Sequence, residues 1–129
     1  MKQKFTGTKT VVAEPMTAEV AIQKGYRVNG SGDGYEVEYE DGYKSWSPAD
    51  VFSKAYKPAE TPLERMDIEF YELGNRKKRL LDAIDNKKLV IPMHQRRLMY
   101  MQYHAMETYY AILRERYMDM SEQTDNSEL

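Results

Sequence analysis

The chain contains no cysteine. Disulfides, thiolate nucleophiles and thiolate metal sites are therefore excluded, and the composition fits an intracellular setting. Histidine is nearly as scarce, with His94 and His104 the only two. They fall ten positions apart on different faces of one expected helix, whereas metal ligands on a helix are spaced three or four apart. They read as solvent-facing or interface residues, and no metal or cofactor is expected. No apolar run approaches the roughly 20 residues that span a bilayer, so a membrane is not an expected partner. No apolar stretch follows Met1 to Phe5, so no secretory signal is expected. An excess of one charge is missing as well: the formal net charge is −2. The protein as a whole is not built to coat nucleic acid or an anionic surface.

What is present suits a folded chain. Its 129 residues include 41% hydrophobic and 31% charged side chains. Eleven Tyr and nine Met stand out. Tyr offers large amphipathic contact area and Met adaptable apolar area, both common at interfaces as well as in cores.

The pattern along the chain predicts an α+β protein in two parts. Residues 1–57 form a β-rich, barrel-like or roll-like module with short helices. Residues 58–62 form a linker, 63–119 a long antiparallel helical hairpin, and 120–129 a polar disordered tail. Phe5 to Ala13 is rich in β-branched residues and reads as a strand that Pro15 stops. Thr17 can cap a short helix that ends near Gly25. After a glycine-rich loop, Tyr35, Val37 and Tyr39 alternate with Glu36 and Glu38, and Asp41-Gly42 signals a hairpin. Ser47-Pro48 then starts a short helix, with Ser47 as N-cap.

Thr61-Pro62-Leu63-Glu64 forms a capping box that opens the first long helix, which ends near Asp85. Its apolar residues Leu63, Met66, Phe70, Leu73, Leu80 and Ile84 make one seam, interrupted by Lys77. Pro92 starts the last helix, which runs to about Met118. Two seams lie side by side on it. Leu98, Met101, Ala105, Tyr109 and Ile112 form one; Met99, Tyr103, Met106, Tyr110, Leu113 and Tyr117 form the other. Together they cover an arc of roughly 200°, about twice that of an ordinary surface helix. One partner helix cannot bury this arc. The second seam is expected to pack either on the N-terminal module or on another copy of the chain, as an oligomer interface.

No catalytic constellation is present. The carboxylates Glu36, Glu38, Glu40 and Asp41 read as the wet face of an amphipathic strand. Gly30, Gly32 and Gly34 precede a strand rather than a helix, the wrong context for a phosphate loop. Arg76, Lys77, Lys78 and Arg79, with Lys87, Lys88, Arg96 and Arg97, gather towards the turn of the helical hairpin. They are either a solvated face or a place for phosphate groups. Trp46 is either a stacking platform or the core of the small β module.

Two stretches resemble known proteins. The N-terminal stretch, Lys9 to Thr17 with Gly34 to Phe52, follows the pattern KTVxAxPMT and then GYxVEYEDGYxSWSPxxVF. It resembles a module of small accessory proteins in bacteriophages and prophages. The stretch from Pro62 to Tyr109 is similar to small helical-hairpin proteins related to those of crAss-like phages. The resemblance implies a non-enzymatic phage protein that acts against defence in the cytoplasm of the bacterial host. One route is an oligomeric sponge for a nucleotide immune signal. A cyclic nucleotide would then be held by Arg76, Arg79, Arg96 and Arg97, with Tyr100 and Tyr103 stacking on its bases. The alternative is a protein-binding inhibitor of a host defence effector, engaging it through Tyr35, Tyr39, Tyr43 and Trp46.

Overall fold

The computed structural model describes residues 1–127. The chain divides into two compact units, Met1–Lys57 and Pro58–Leu129.

The first unit is an α+β fold built on an open three-stranded antiparallel sheet in the order β1-β2-β3. Its elements are β1 (Val12–Pro15), α1 (Ala18–Gln23), β2 (Gly34–Glu38), β3 (Lys44–Pro48) and α2 (Ala49–Ala55). β1 is shorter and later than the β-branched run suggested. β2 ends at Glu38, opposite Val12, and the chain then turns at Asp41-Gly42, so residues before Val12 run past the end of their partner strand. Pro15 is tolerated because β1 is an edge strand. Between β2 and β3, Gly42 adopts φ +88° and the Asp41 carboxylate accepts from the Tyr43 N–H at 3.0 Å. Tyr39 donates to the Tyr43 carbonyl at 2.8 Å, which closes the turn.

The sheet carries helices on both faces. Tyr35 stacks on Phe52 of α2, with ring centroids 4.3 Å apart, and Val37 on the same face of β2 is buried. On the other face Trp46 is buried with Met16, Ala18 and Ala21 of the α1 region. Its indole N–H donates to the Met16 carbonyl at 2.7 Å. Trp46 pairs with Glu36 across the strands, so Glu36 lies on this packed face rather than on a wet one. It is satisfied there by the Tyr26 hydroxyl, which donates to it at 2.7 Å, and by Lys24 at 3.7 Å.

The glycine-rich loop is tied down. Gly32 and Gly34 carbonyls accept from Ala18 and Met16, and the Asp33 carbonyl accepts from Ala49. A Cβ on Gly34 would meet the Trp46 ring and the Ser47 carbonyl oxygen at 2.5 Å, so only glycine lets the start of β2 pass under the indole. Ser47 does not cap α2. It belongs to β3, and Pro48 holds the N-cap position without a side-chain bond.

The second unit is a helical hairpin of α3 (Pro62–Asp85) and α4 (Met93–Ser127). The capping box of α3 is complete: Thr61 accepts from the Glu64 N–H at 3.1 Å, and Glu64 accepts from the Thr61 N–H at 3.0 Å. Asn86 ends α3, and its side chain accepts from the Lys88 N–H. α4 continues to Ser127, past the expected end near Met118, because no Gly or Pro interrupts the stretch from Met93 to Ser127. Residues 120–127 of the expected disordered tail are thus helical; residues 128 and 129 lie outside the described residues. No helix among the described residues is long and apolar enough to cross a membrane.

Candidate functional site

The hairpin core assigns the two seams of α4. Leu113 is 2% exposed and packs with Met66 and Leu73 of α3, together with Phe70, Met106, Tyr110, Tyr117 and Met120. Phe70 and Tyr110 stack at 4.3 Å. Gly74 makes room for this, since a Cβ there would reach the Tyr110 ring at 3.4 Å. The seam Met99, Tyr103, Met106, Tyr110, Leu113, Tyr117 therefore faces α3 of the same chain, where the spacing alone suggested a second copy or the N-terminal module. The other seam is the open one. Leu98, Met101, Tyr109 and Ile112 are 41%, 62%, 43% and 54% exposed.

Lys77, which breaks the apolar pattern of α3, is half-buried in the same seam. Its ammonium lies 4.6 Å from the Tyr110 ring centroid and 5.9 Å from that of Tyr103. The seam thus accommodates a cation by giving it aromatic faces.

The expected anion-binding residues separate into two groups. Arg96 and Tyr103 serve the hairpin itself. Arg96 donates from Nη1 to the Ile84 carbonyl at 2.6 Å, capping an orphan acceptor at the end of α3, and Tyr103 lies beneath Lys77. Arg76, Arg79, Arg97 and Tyr100 are exposed, and none of the three arginines forms a salt bridge among the described residues. The connecting turn adds exposed Lys87 and Lys88, beside the exposed apolar side chains of Leu89, Val90 and Met93. This end of the hairpin therefore presents uncommitted positive charge next to apolar surface. His94 is exposed, and the His104 ring pairs with Glu107 at 3.1 Å. No cluster of metal-ligating side chains occurs among the described residues.

The aromatic residues of the β-hairpin also divide. Trp46 is core, and Tyr35 is half-buried against Phe52. Tyr39 is also half-buried and Tyr43 is exposed, with their ring centroids 5.9 Å apart at 25°. With Lys9, Thr10, Glu40 and Asp41 they line a pocket of about 410 Å³. The Lys9 ammonium stands 4.6 Å from the Tyr39 ring centroid. Sequence reasoning missed Lys9. The strand register, with Val12 opposite Glu38, is what brings the residues before Val12 alongside Tyr39.

Residues 60–119, which hold α3 and most of α4, match the family model described as Sequestin. No curated protein and no solved structure matches the chain.

Proposed function

We propose that this protein is a phage counter-defence sponge: an oligomer that sequesters an anionic nucleotide signal without converting it. The match of the helical hairpin to the Sequestin family carries this reading, since the family's name speaks of sequestration. Three features support it. Arg76, Arg79 and Arg97 are exposed cations without carboxylate partners among the described residues, suited to phosphate oxygens. Tyr100, 45% exposed, offers a ring for base stacking. The open stripe Leu98, Met101, Tyr109 and Ile112 gives a second copy an apolar surface to cover. Assembly through it would bring arginines from several chains to one ligand, which a single hairpin with outward-facing cations does not do. Binding of this kind needs affinity and abundance but no reactive group.

The test is native mass by light scattering after size exclusion, with thermal melts in the presence of cyclic and linear nucleotides. The expected result is an oligomer stabilised by one nucleotide, by about 2.7 kcal/mol at a hundredfold excess over Kd. The double charge reversal Arg76→Glu, Arg97→Glu should remove that stabilisation and leave the oligomer intact. A monomer indifferent to every nucleotide, or chemical turnover of the bound one, refutes the proposal.

A further inference from the structure

A second cluster of charged and aromatic side chains lies at the β-hairpin turn of the N-terminal unit. Its construction begins with the backbone. The Tyr39 N–H to Tyr43 carbonyl bond, the Gly42 N–H to Tyr39 carbonyl bond and the Asp41 cap on the Tyr43 N–H tie Tyr39, Asp41, Gly42 and Tyr43 together. Tyr39 and Tyr43 flank that turn as neighbours, so their rings come to the same side and stand nearly parallel. The Tyr39 hydroxyl is further held by Ser45, at 3.5 Å. Glu40 and Asp41 add two carboxylates to the wall of the same pocket. Two electron-rich ring faces beside two carboxylates, on a rigid turn, are complementary to an ammonium group.

The structure displays such a group in place. Lys9, on the irregular segment before β1, holds its ammonium over the Tyr39 ring. No carboxylate pairs with Lys9 among the described residues, so the aromatic face is the contact that marks its position. The Lys9 residue as a whole is exposed, and Tyr43 is 65% exposed, so the pocket stays open to solvent beside its internal occupant.

We infer that the pocket formed by Tyr39, Tyr43, Glu40 and Asp41 recognises a lysine side chain on a basic segment of a partner protein, and that Lys9 occupies it as an internal stand-in until displaced. The partner is specified by charge complementarity: an ammonium on a flexible aliphatic stem, flanked by further cations that meet the hairpin carboxylates. The site is independent of the nucleotide reading, because none of its residues lies in the helical hairpin.

The experiment uses the full chain and a fluorescein-labelled hexalysine peptide, followed by anisotropy, with the peptide acetylated on every lysine side chain as the uncharged probe. Hexalysine should bind and the acetylated peptide should not. Lys9→Ala should tighten binding about two- to fivefold, the worth of an exposed cation–π contact that no longer competes. Lys4→Ala makes the same change in net charge away from the pocket and should not match that gain. Tyr43→Ala should weaken binding by a similar factor, and Tyr43→Phe should restore it, since Tyr43 is proposed to wall the pocket with its ring rather than its hydroxyl. Tyr43 is exposed, so neither variant threatens the fold. Equal gains from Lys9→Ala and Lys4→Ala would reduce the effect to net charge and overturn the inference. So would unchanged binding by Tyr43→Ala.

Discussion

Neighbouring positions on α4 should respond in opposite ways to the same substitution. Leu113 is 2% exposed and touches the buried Met66 and Leu73, whereas Ile112, one residue earlier, is 54% exposed. Leu113→Ala removes a filled position from a core with few others. A buried Leu→Ala change costs about 2–5 kcal/mol. For a unit of this size each kcal/mol moves the melting midpoint by roughly 4–8 °C, so the drop should be about 10 °C or more. Ile112→Ala trims a side chain that is mostly in solvent and gains helix propensity, and should stay within about 0.5 kcal/mol of wild type. The assay is the helical circular dichroism signal during thermal melting, over a series of protein concentrations. At the dilute end the two variants should separate as described. Where a second copy covers the open stripe, Ile112→Ala should lower the midpoint only at concentrations that permit assembly. Equal losses from both substitutions at the dilute end would mean that the seams have been assigned to the wrong surfaces, and the reasoning behind the hairpin core would fail.

Two further outcomes concern the N-terminal unit, where Trp46, the only tryptophan, reports unfolding by its fluorescence. Gly34→Ala forces a methyl group against the indole and the Ser47 carbonyl, and should cost about 1–3 kcal/mol in urea unfolding; wild-type stability would refute the close approach. Tyr26 and Glu36 should give pH dependence at both extremes. The hydrogen bond from Tyr26 holds the Glu36 carboxyl below its ordinary 4.5, helped by Lys24 and opposed by burial. The same bond, then burial, then the Glu36 charge, raise Tyr26 above 10.0. Glu36 thus contributes stability that is present above pH 4.5 and lost as pH falls through its lowered value. Tyr26 contributes below pH 10.0 and loses it as pH rises through its raised value. Tyr26→Phe should flatten both limbs of the stability profile, and a profile parallel to wild type would show that the pair does not form in solution.

Much of this fold is legible in the residues, for reasons that are local. Asp41-Gly42 between alternating runs dictates a hairpin, and Thr61-Pro62-Leu63-Glu64 dictates a helix start, because each depends only on its own backbone. The seam of α3 is equally readable, and Lys77 within it stands out as a break. What the residues do not declare is which surface meets which. The two seams of α4 share one period, and Gly74 and Lys77 on the other helix decide between them by admitting the Tyr110 ring. Trp46 could be placed in a core by its size, but not opposite Glu36, since that depends on register. Arg96 looks like a ligand-binding cation in the chain and proves to be a cap for a carbonyl twelve residues earlier. Such a role exists only once the hairpin has closed.

The half-buried Lys77 also limits how the two long helices can slide. An all-aliphatic seam would allow one helix to shift along the other by a turn, about 5.4 Å, at modest cost. Here such a shift would carry the ammonium off the Tyr110 ring, the nearer of the two aromatic faces it meets. Lys77 thus acts as a detent: it sacrifices some apolar burial and in exchange leaves the hairpin a single preferred alignment.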